Sequence, residues 1–460
     1  MEKKNYTIPF IIVTGLFFMW GFITSMNDIL IPYLKEVFEL SHFKAMLVQF
    51  AFFGAYFIGS LIYFLISARI GDPINKIGYK NGIILGLIIS ALGTALFFPA
   101  SQLVSYGFFL SALFILGLGF TLLQIAANPY VAILGSEKTA SGRLNLSQGF
   151  NSFGTTIGPL IGGYLIFKYF VGVDFNGADS VKIPYLIFAS IFLLMAVFIK
   201  FSELPGFINK EDIEKGTGAL RFVHLKLGML AIFMYVGAEV SIGSIMVSFL
   251  ELENITGFPK EEASTYLAFY WGGLMIGRFL GAISMGESKN IRNKIGYMLL
   301  SMVILFFVIY FAVFLNSKIS LTDVWPFMLI VLINFGAFIL GKSRPAKTLF
   351  IFAILAAVLL LTTISSEGHV AMWALIGVGI FNSIMWPNIF TLSISGLGKH
   401  TSQGSSLLVM MILGGAIIPI IQGAVADWRG VHFSFIVPII PYLYIAFFGW
   451  KGHKPKRLKN

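Results

Sequence analysis

The sequence contains no cysteine. That excludes disulfides, thiolate metal sites and thiol nucleophiles. Charge is scarce as well: 12% of the residues are Asp, Glu, Lys or Arg, about half the share that soluble domains carry. Acidic residues are the scarcest, 21 against 32 Lys and Arg, giving a formal net charge of +11. The basic residues do not gather into the patch that a nucleic-acid surface needs, because they lie between long apolar runs. What is abundant is hydrophobic: 57% of the 460 residues, 48 of them Phe, with a mean hydropathy of +0.87. Such a chain has lipid as its main solvent. Lys3 and Lys4 before the apolar run Ile8 to Leu34 imitate a secretion signal. The run is too long for one and no small-residue cleavage site comes after it, so it reads as a first membrane span.

Runs long enough to cross about 30 Å of hydrocarbon cover 8–34, 43–66, 82–99, 104–134, 144–167 and 183–200. After the polar segment 201–220 come 222–250, 263–285, 295–315, a pair at 324–340 and 348–364, and then 370–395, 404–426 and 432–450. Each run is continuously apolar, and only an internally hydrogen-bonded backbone survives in lipid, so helices are expected rather than barrel strands. The expected fold is therefore an all-α integral membrane protein of about fourteen spans. A six-helix bundle fills 1–200 and a cytoplasmic linker 201–221. A second bundle fills 222–450, and a basic tail 451–460 closes the chain.

Loop charge supports the division. With alternating crossings, 24 Lys and Arg fall on one side and 7 on the other, Arg278 being left at a span end. Positive loops stay in the cytoplasm, which places both termini there and the chain in a bacterial inner membrane.

The two halves repeat. Gly54 to Gly59 in the second span answers Gly272 to Gly277 in the eighth, 218 residues later. Asn128-Pro129 precedes Gly158-Pro159 as Pro387-Asn388 precedes Ile418-Pro419, at spacings of 30 and 32 residues between the prolines. Homologous halves facing a common axis form the architecture in which transporters bind solute between the halves near the midplane. The match makes the runs from 370 and 404 the partners of the fourth and fifth, so the hairpin 324–364 is expected to be an insertion between the ninth and tenth core helices.

Asp28 and Glu239 are the acidic residues deep inside expected spans, and a carboxylate there costs at least about 2.5 to 3.5 kcal/mol. A buried carboxyl group takes up a proton more readily than one in water. Those two acids are thus candidates for binding a coupling cation, and interhelical structure is the plain alternative. Gln124, Asn128, Asn145, Gln148 and Asn151 concentrate amides in two neighbouring spans. Gln148 and Asn151 share a helical face, and amides both donate to and accept from hydroxyls, as a polyol requires. Interhelical glue at roughly 0.6 kcal/mol per bond is their competing role. Gly336 to Ser343 matches the phosphate-loop pattern formally, but it ends an apolar span and Pro345 interrupts the next stretch, so nucleotide binding is rejected. All six histidines lie near span ends or in the tail, and neither HExxH nor GxSxG occurs. An intramembrane enzyme is therefore not expected, nor is any cofactor.

Several segments together resemble the major facilitator superfamily and, within it, the fucose, galactose and glucose symporter family. They are Phe18 to Leu30, Ala126 to Tyr130, Arg143 to Gly154, Tyr235 to Val240, Tyr270 to Gly273 with Gly277 to Phe279, and Trp386 to Phe390. The resemblance implies the major facilitator fold and cation-coupled uptake of a monosaccharide, with H+ or Na+ as the ion. It puts the coupling aspartate on Asp28, with Glu239 as a second acid. It puts sugar contacts on Trp20, Asn27, Gln124, Gln148, Asn151 and Trp386. Gln124 stands where fucose-transporting members carry a glutamate, which favours the glucose and galactose branch. Gly71 to Lys80 resembles the superfamily's cytoplasmic loop in weakened form, so Asp72, Lys76 and Arg278 are expected to latch the two halves. The partners implied are a small sugar and membrane lipid, without nucleic acid, for a monomer. Fucose or N-acetylglucosamine remains an alternative substrate, and a non-transporting sugar sensor a further one.

Overall fold

The computed structural model describes residues 6–70, 73–134, 140–169, 177–205, 218–285, 290–317, 319–397 and 401–454. Among them no strand occurs. The first half contains α1 (Thr7–Val37), α2 (Leu47–Ile70), α3 (Tyr79–Ala95), α4 (Tyr106–Ile133), α5 (Ala140–Tyr164) and α6 (Lys182–Phe201). The second contains α7 (Val223–Leu250), α8 (Lys260–Met285), α9 (Ile291–Ser317), α10 (Trp325–Gly341), α11 (Pro345–Ser365), α12 (Gly368–Asn382), α13 (Met385–Ile394), α14 (Thr401–Met410), α15 (Gly414–Arg429) and α16 (Ile436–Phe447).

Among the described residues, twelve helical stretches are long and apolar enough to cross a membrane, against the fourteen expected. Two of the expected spans fall short of that standard. α10 is only 17 residues long. α5 has the length but not the apolarity, because it carries Gln148, Asn151, Ser152, Thr155 and Thr156 in its middle. It tolerates them because it packs on α1 in its own half and on α8 in the other, so those side chains face protein.

Prolines and glycines shape the interior helices. Pro387 lacks an N–H, and its ring crowds the carbonyl four residues back; that carbonyl belongs to Ser383, where α12 ends and α13 has yet to begin. One 3-10 turn at Met411–Leu413 likewise separates α14 from α15, which carries Pro419. The backbones of α1 and α5 touch. A Cβ on Gly21 would lie 2.0 Å from the Asn151 carbonyl oxygen, and one on Gly154 2.1 Å from that of Phe18. Side chains are excluded there, which fixes how far α5 tilts over α1.

The halves share a plan. In the first, α1 packs on α5, and α3 packs on both α4 and α6; in the second, α7 packs on α15, and α11 packs on both α12 and α16. α9 lies along α8 with much of its surface turned outward. Contact between halves runs along α5 with α8 and α2 with α15. At the far end of the protein, where α1 finishes, both Asp427 carboxylate oxygens accept backbone N–H groups, from His42 and Phe43, each at 2.8 Å. Lys260 pairs with Glu36 at the same end.

Candidate functional site

A cavity of about 140 Å3 lies where the halves meet. α1 contributes Trp20, Thr24, Ser25 and Asp28; α2 contributes Gln49, Phe53 and Tyr56; α4 and α5 add Gln124, Asn128, Gln148, Asn151 and Thr155. The second half faces them with Tyr235, Glu239, Trp271, Arg278 and Trp386. The wall therefore holds two carboxyl groups and one guanidinium among amides, hydroxyls and indole faces.

The hydrogen bonds divide the wall into two clusters. Towards the far end Asp28 is 3% exposed, so its oxygens depend on protein donors. Gln49 Nε2 donates to Oδ1 at 3.2 Å and Trp271 Nε1 donates to Oδ2 at 3.1 Å. The same Gln49 nitrogen donates to Ser244 Oγ at 2.8 Å. Towards the other end Arg278 Nη1 donates to the Gln148 carbonyl at 3.0 Å and to Ser152 Oγ at 2.6 Å. Glu239 lies between them. Its Oε1 accepts from the Tyr235 hydroxyl at 2.6 Å, and its backbone oxygen accepts from the Tyr270 hydroxyl at 2.9 Å. Asn382 and Tyr442 continue this chain to α16: Asn382 Nδ2 donates to Tyr270 Oη at 2.9 Å, and Tyr442 Oη donates to Asn382 Oδ1 at 2.8 Å. Buried polar groups satisfied in this way rigidify a site. The arrangement suits a compact polyol, with amides to pair hydroxyls, indoles to cover C–H faces, and carboxyl groups able to hold or release a proton.

The sequence profile of the Major Facilitator Superfamily matches residues 13–343. The chain belongs to that superfamily. Within it the chain is 42% identical over 457 residues to a protein of Brucella abortus named glucose/galactose transporter, covering 98% of this chain and 96% of that one. It is 40% identical to a putative glucose/galactose transporter of Helicobacter pylori, covering 99% of each. To the L-fucose-proton symporter of Escherichia coli it is 31% identical, covering 97% and 93%. The crystal structure of the E. coli fucose:proton symporter superimposes with a TM-score of 0.64 at 30% identity, covering 98% of this chain and 99% of that one.

In this facilitator the structure brings together Trp20, Gln124, Gln148, Asn151, Trp386, Asp28, Glu239 and Arg278 on one cavity wall. Asn27 is not among them. It is buried, its Nδ2 lacks a partner, and one helical step from Asp28 turns it away from the lining. Asn151 is committed on one side, because its Nδ2 donates to the Phe17 carbonyl at 2.9 Å and so ties α5 to α1. Its Oδ1 and the second N–H of Nδ2 are left for a ligand. Arg278 contacts α5 within the cavity wall. Asp72 and the Lys76 side chain, expected as its partners in a latch, lie outside the described residues. Sequence reasoning missed Gln49, Ser244, Trp271, Ser152 and Tyr56 as site residues. Trp271 carried a signal, since it stands in the segment Tyr270 to Gly273 that shares in the family resemblance. Ser244 and Ser152 carried none, because a serine in a membrane helix commonly bonds its own backbone, as Ser244 does to the Val240 carbonyl at 2.6 Å.

Proposed function

We propose that this facilitator imports a monosaccharide, glucose or galactose, together with a proton, by alternating exposure of the central cavity to the two membrane faces. The observation that carries this reading is the joint lining of one cavity by Asp28 and by the amides and indoles of Gln124, Gln148, Asn151, Trp20 and Trp386. A proton on Asp28 and a sugar beside it then share one compartment. The names and high identity of the Brucella and Helicobacter relatives favour glucose or galactose, and the symporter relatives favour the proton over Na+. One positive charge moving inward across roughly 150 mV supplies about 3.4 kcal/mol, which is enough for roughly 300-fold accumulation.

Glu239 is the second acid in this account, and Arg278 is its counter-charge in the same cavity. Gln148 and Asn151 Oδ1 would pair sugar hydroxyls while Trp20 and Trp386 cover the apolar ring face. Contact between the halves at the far end, through Asp427 and through Lys260 with Glu36, fits a state closed on that side.

We infer fourteen crossings, α5 and α10 included, since 17 residues is the lower limit for spanning. The pair outside the repeat is then α9 and α10 rather than the hairpin 324–364. α11 sits against α12 and α16 as α3 sits against α4 and α6, so α11 takes the ninth core place. An even number of crossings keeps both termini on one face, and the loop charges favour the cytoplasmic one.

Competition decides the substrate. Unlabelled glucose and galactose should each suppress uptake of labelled galactose into proteoliposomes at lower concentration than fucose or N-acetylglucosamine. Stronger suppression by fucose would replace the proposed substrate, and no uptake of any of the four would overturn sugar import.

A further inference from the structure

We infer that Trp271, assisted by Gln49, is the positioning group that drives the coupling proton off Asp28 once the far end of the protein closes. This deepens the symport reading above and rests on it.

Asp28 belongs to the first half and Trp271 to the second. Their bond therefore exists only while the halves meet on that side. An indole N–H donates and cannot accept, so it pairs with a carboxylate oxygen and gains nothing from the carboxyl O–H. Hydrogen bonds to the charged form of an acid favour that form. The contact thus makes closure and deprotonation support each other.

Gln49 fixes the same sign. Ser244 Oγ spends its own proton on the Val240 carbonyl, so towards Gln49 it only accepts. The amide must then present its nitrogen to Ser244, and the second N–H on that nitrogen reaches Asp28 Oδ1. Turned end for end, the amide would bring its oxygen against the Ser244 lone pairs. Gln49 Oε1 is consequently buried without a partner. The arrangement leaves an acceptor unsatisfied while keeping a donor on the Asp28 carboxyl group, a pairing that gains most when Asp28 is ionised.

The resulting cycle is balanced. With the far end open, Trp271 is withdrawn and Asp28 takes a proton from the solvent on that side. Closure brings the indole onto Oδ2, the Asp28 O–H bond breaks, and the proton passes to solvent reaching the cavity from the opposite face. The other titratable or charged groups around that cavity are Glu239 and Tyr235 of α7, Arg278 of α8 and Tyr56 of α2. Trp271 and Gln49 bring N–H groups to the Asp28 oxygens, the Ser244 hydroxyl lies beside them, and Glu239 is near enough for its negative charge to oppose one on Asp28.

The test is proton-driven uptake of labelled galactose into proteoliposomes at fixed external pH while internal pH is varied. Trp271→Phe keeps a ring and removes the N–H. Its half-maximal internal pH should rise by about one unit, a tenfold change in proton concentration for one charge-assisted hydrogen bond. Gln49→Met removes the second donor at similar length and should move the profile the same way, which keeps the test alive if the indole variant fails to fold. Exchange with equal sugar on both sides needs no net proton release, so whatever its rate in the variants it should depend less on internal pH than net uptake does. An unmoved internal-pH profile in both, or equal loss of exchange and uptake at every pH, overturns the inference. If the unmodified protein exchanges sugar yet ignores an imposed proton gradient, the symport reading itself fails instead.

Discussion

Arg278 spans the boundary between the halves: its Nη1 lies 2.6 Å from the Ser152 hydroxyl and 3.0 Å from the Gln148 carbonyl, both on α5. One donor group thereby ties the eighth helix to the fifth at the edge of the cavity that also holds Glu239.

A lysine keeps the charge at that place but not the planar, multiply donating head. Arg278→Lys should therefore slow initial sugar uptake by at least about tenfold, the worth of one hydrogen bond to a charged group. Ser152→Ala removes one of two acceptors and should cost only a few-fold. Equal initial rates in Arg278→Lys and the unmodified protein would remove this bridge from the transport cycle.

Replacement of the carboxyl group at Asp28 tests coupling apart from binding. Asp28→Asn retains shape, keeps one of the two acceptor oxygens that Gln49 and Trp271 meet, and loses the exchangeable proton. Accumulation of sugar against its gradient should vanish, whereas exchange of internal for external sugar should survive at a reduced rate. Concentrative uptake that persisted in this variant would place coupling elsewhere.

Close packing of α1 on α5 makes a stability prediction with its own control. At Gly154 any Cβ meets the Phe18 carbonyl, so Gly154→Val should lower the unfolding temperature of the detergent-solubilised protein markedly, overpacking costing about 1 to 3 kcal/mol or more. Gly15, on α1, has nothing within 4 Å of a built Cβ. Gly15→Ala should be neutral or stabilising. Similar melting curves for the two variants would mean that the helices do not meet as described.

Asp427 offers a handle on closure at the far end. Asp427→Asn removes the charge and replaces one acceptor oxygen with a donor, so it can cap only one of the His42 and Phe43 amides. Because the chain lacks cysteine, a single Val240→Cys in the cavity wall reports access without background. Labelling of that cysteine by an impermeant maleimide added from the far side should rise several-fold in Asp427→Asn. An unchanged labelling rate would show that Asp427 does not hold this side shut.

Much of this was legible in the sequence because lipid imposes few solutions. The apolar runs marked the helices, twelve of which are long and apolar enough to cross a membrane among the described residues. The expense of carboxylates in a membrane singled out Asp28 and Glu239, and the cavity received both. The place of any extra hairpin was not legible, since an apolar run records burial in lipid but not which neighbour it packs on. Asn27 stands beside Asp28 yet outside the cavity lining, since adjacent residues on a helix point about 100° apart. Gln49 and Ser244 were invisible because their importance comes from where Asp28 lands relative to them, a relation across 21 and 216 positions that no local pattern encodes.

The most direct measurement is proton entry driven by sugar. Proteoliposomes carrying the unmodified protein and an internal pH dye, with no gradient imposed, are given external glucose or galactose, and internal acidification is followed. The account predicts acidification with either sugar that is abolished by Asp28→Asn and does not require Na+. Sugar entry without acidification, or entry that depends on Na+, would contradict it.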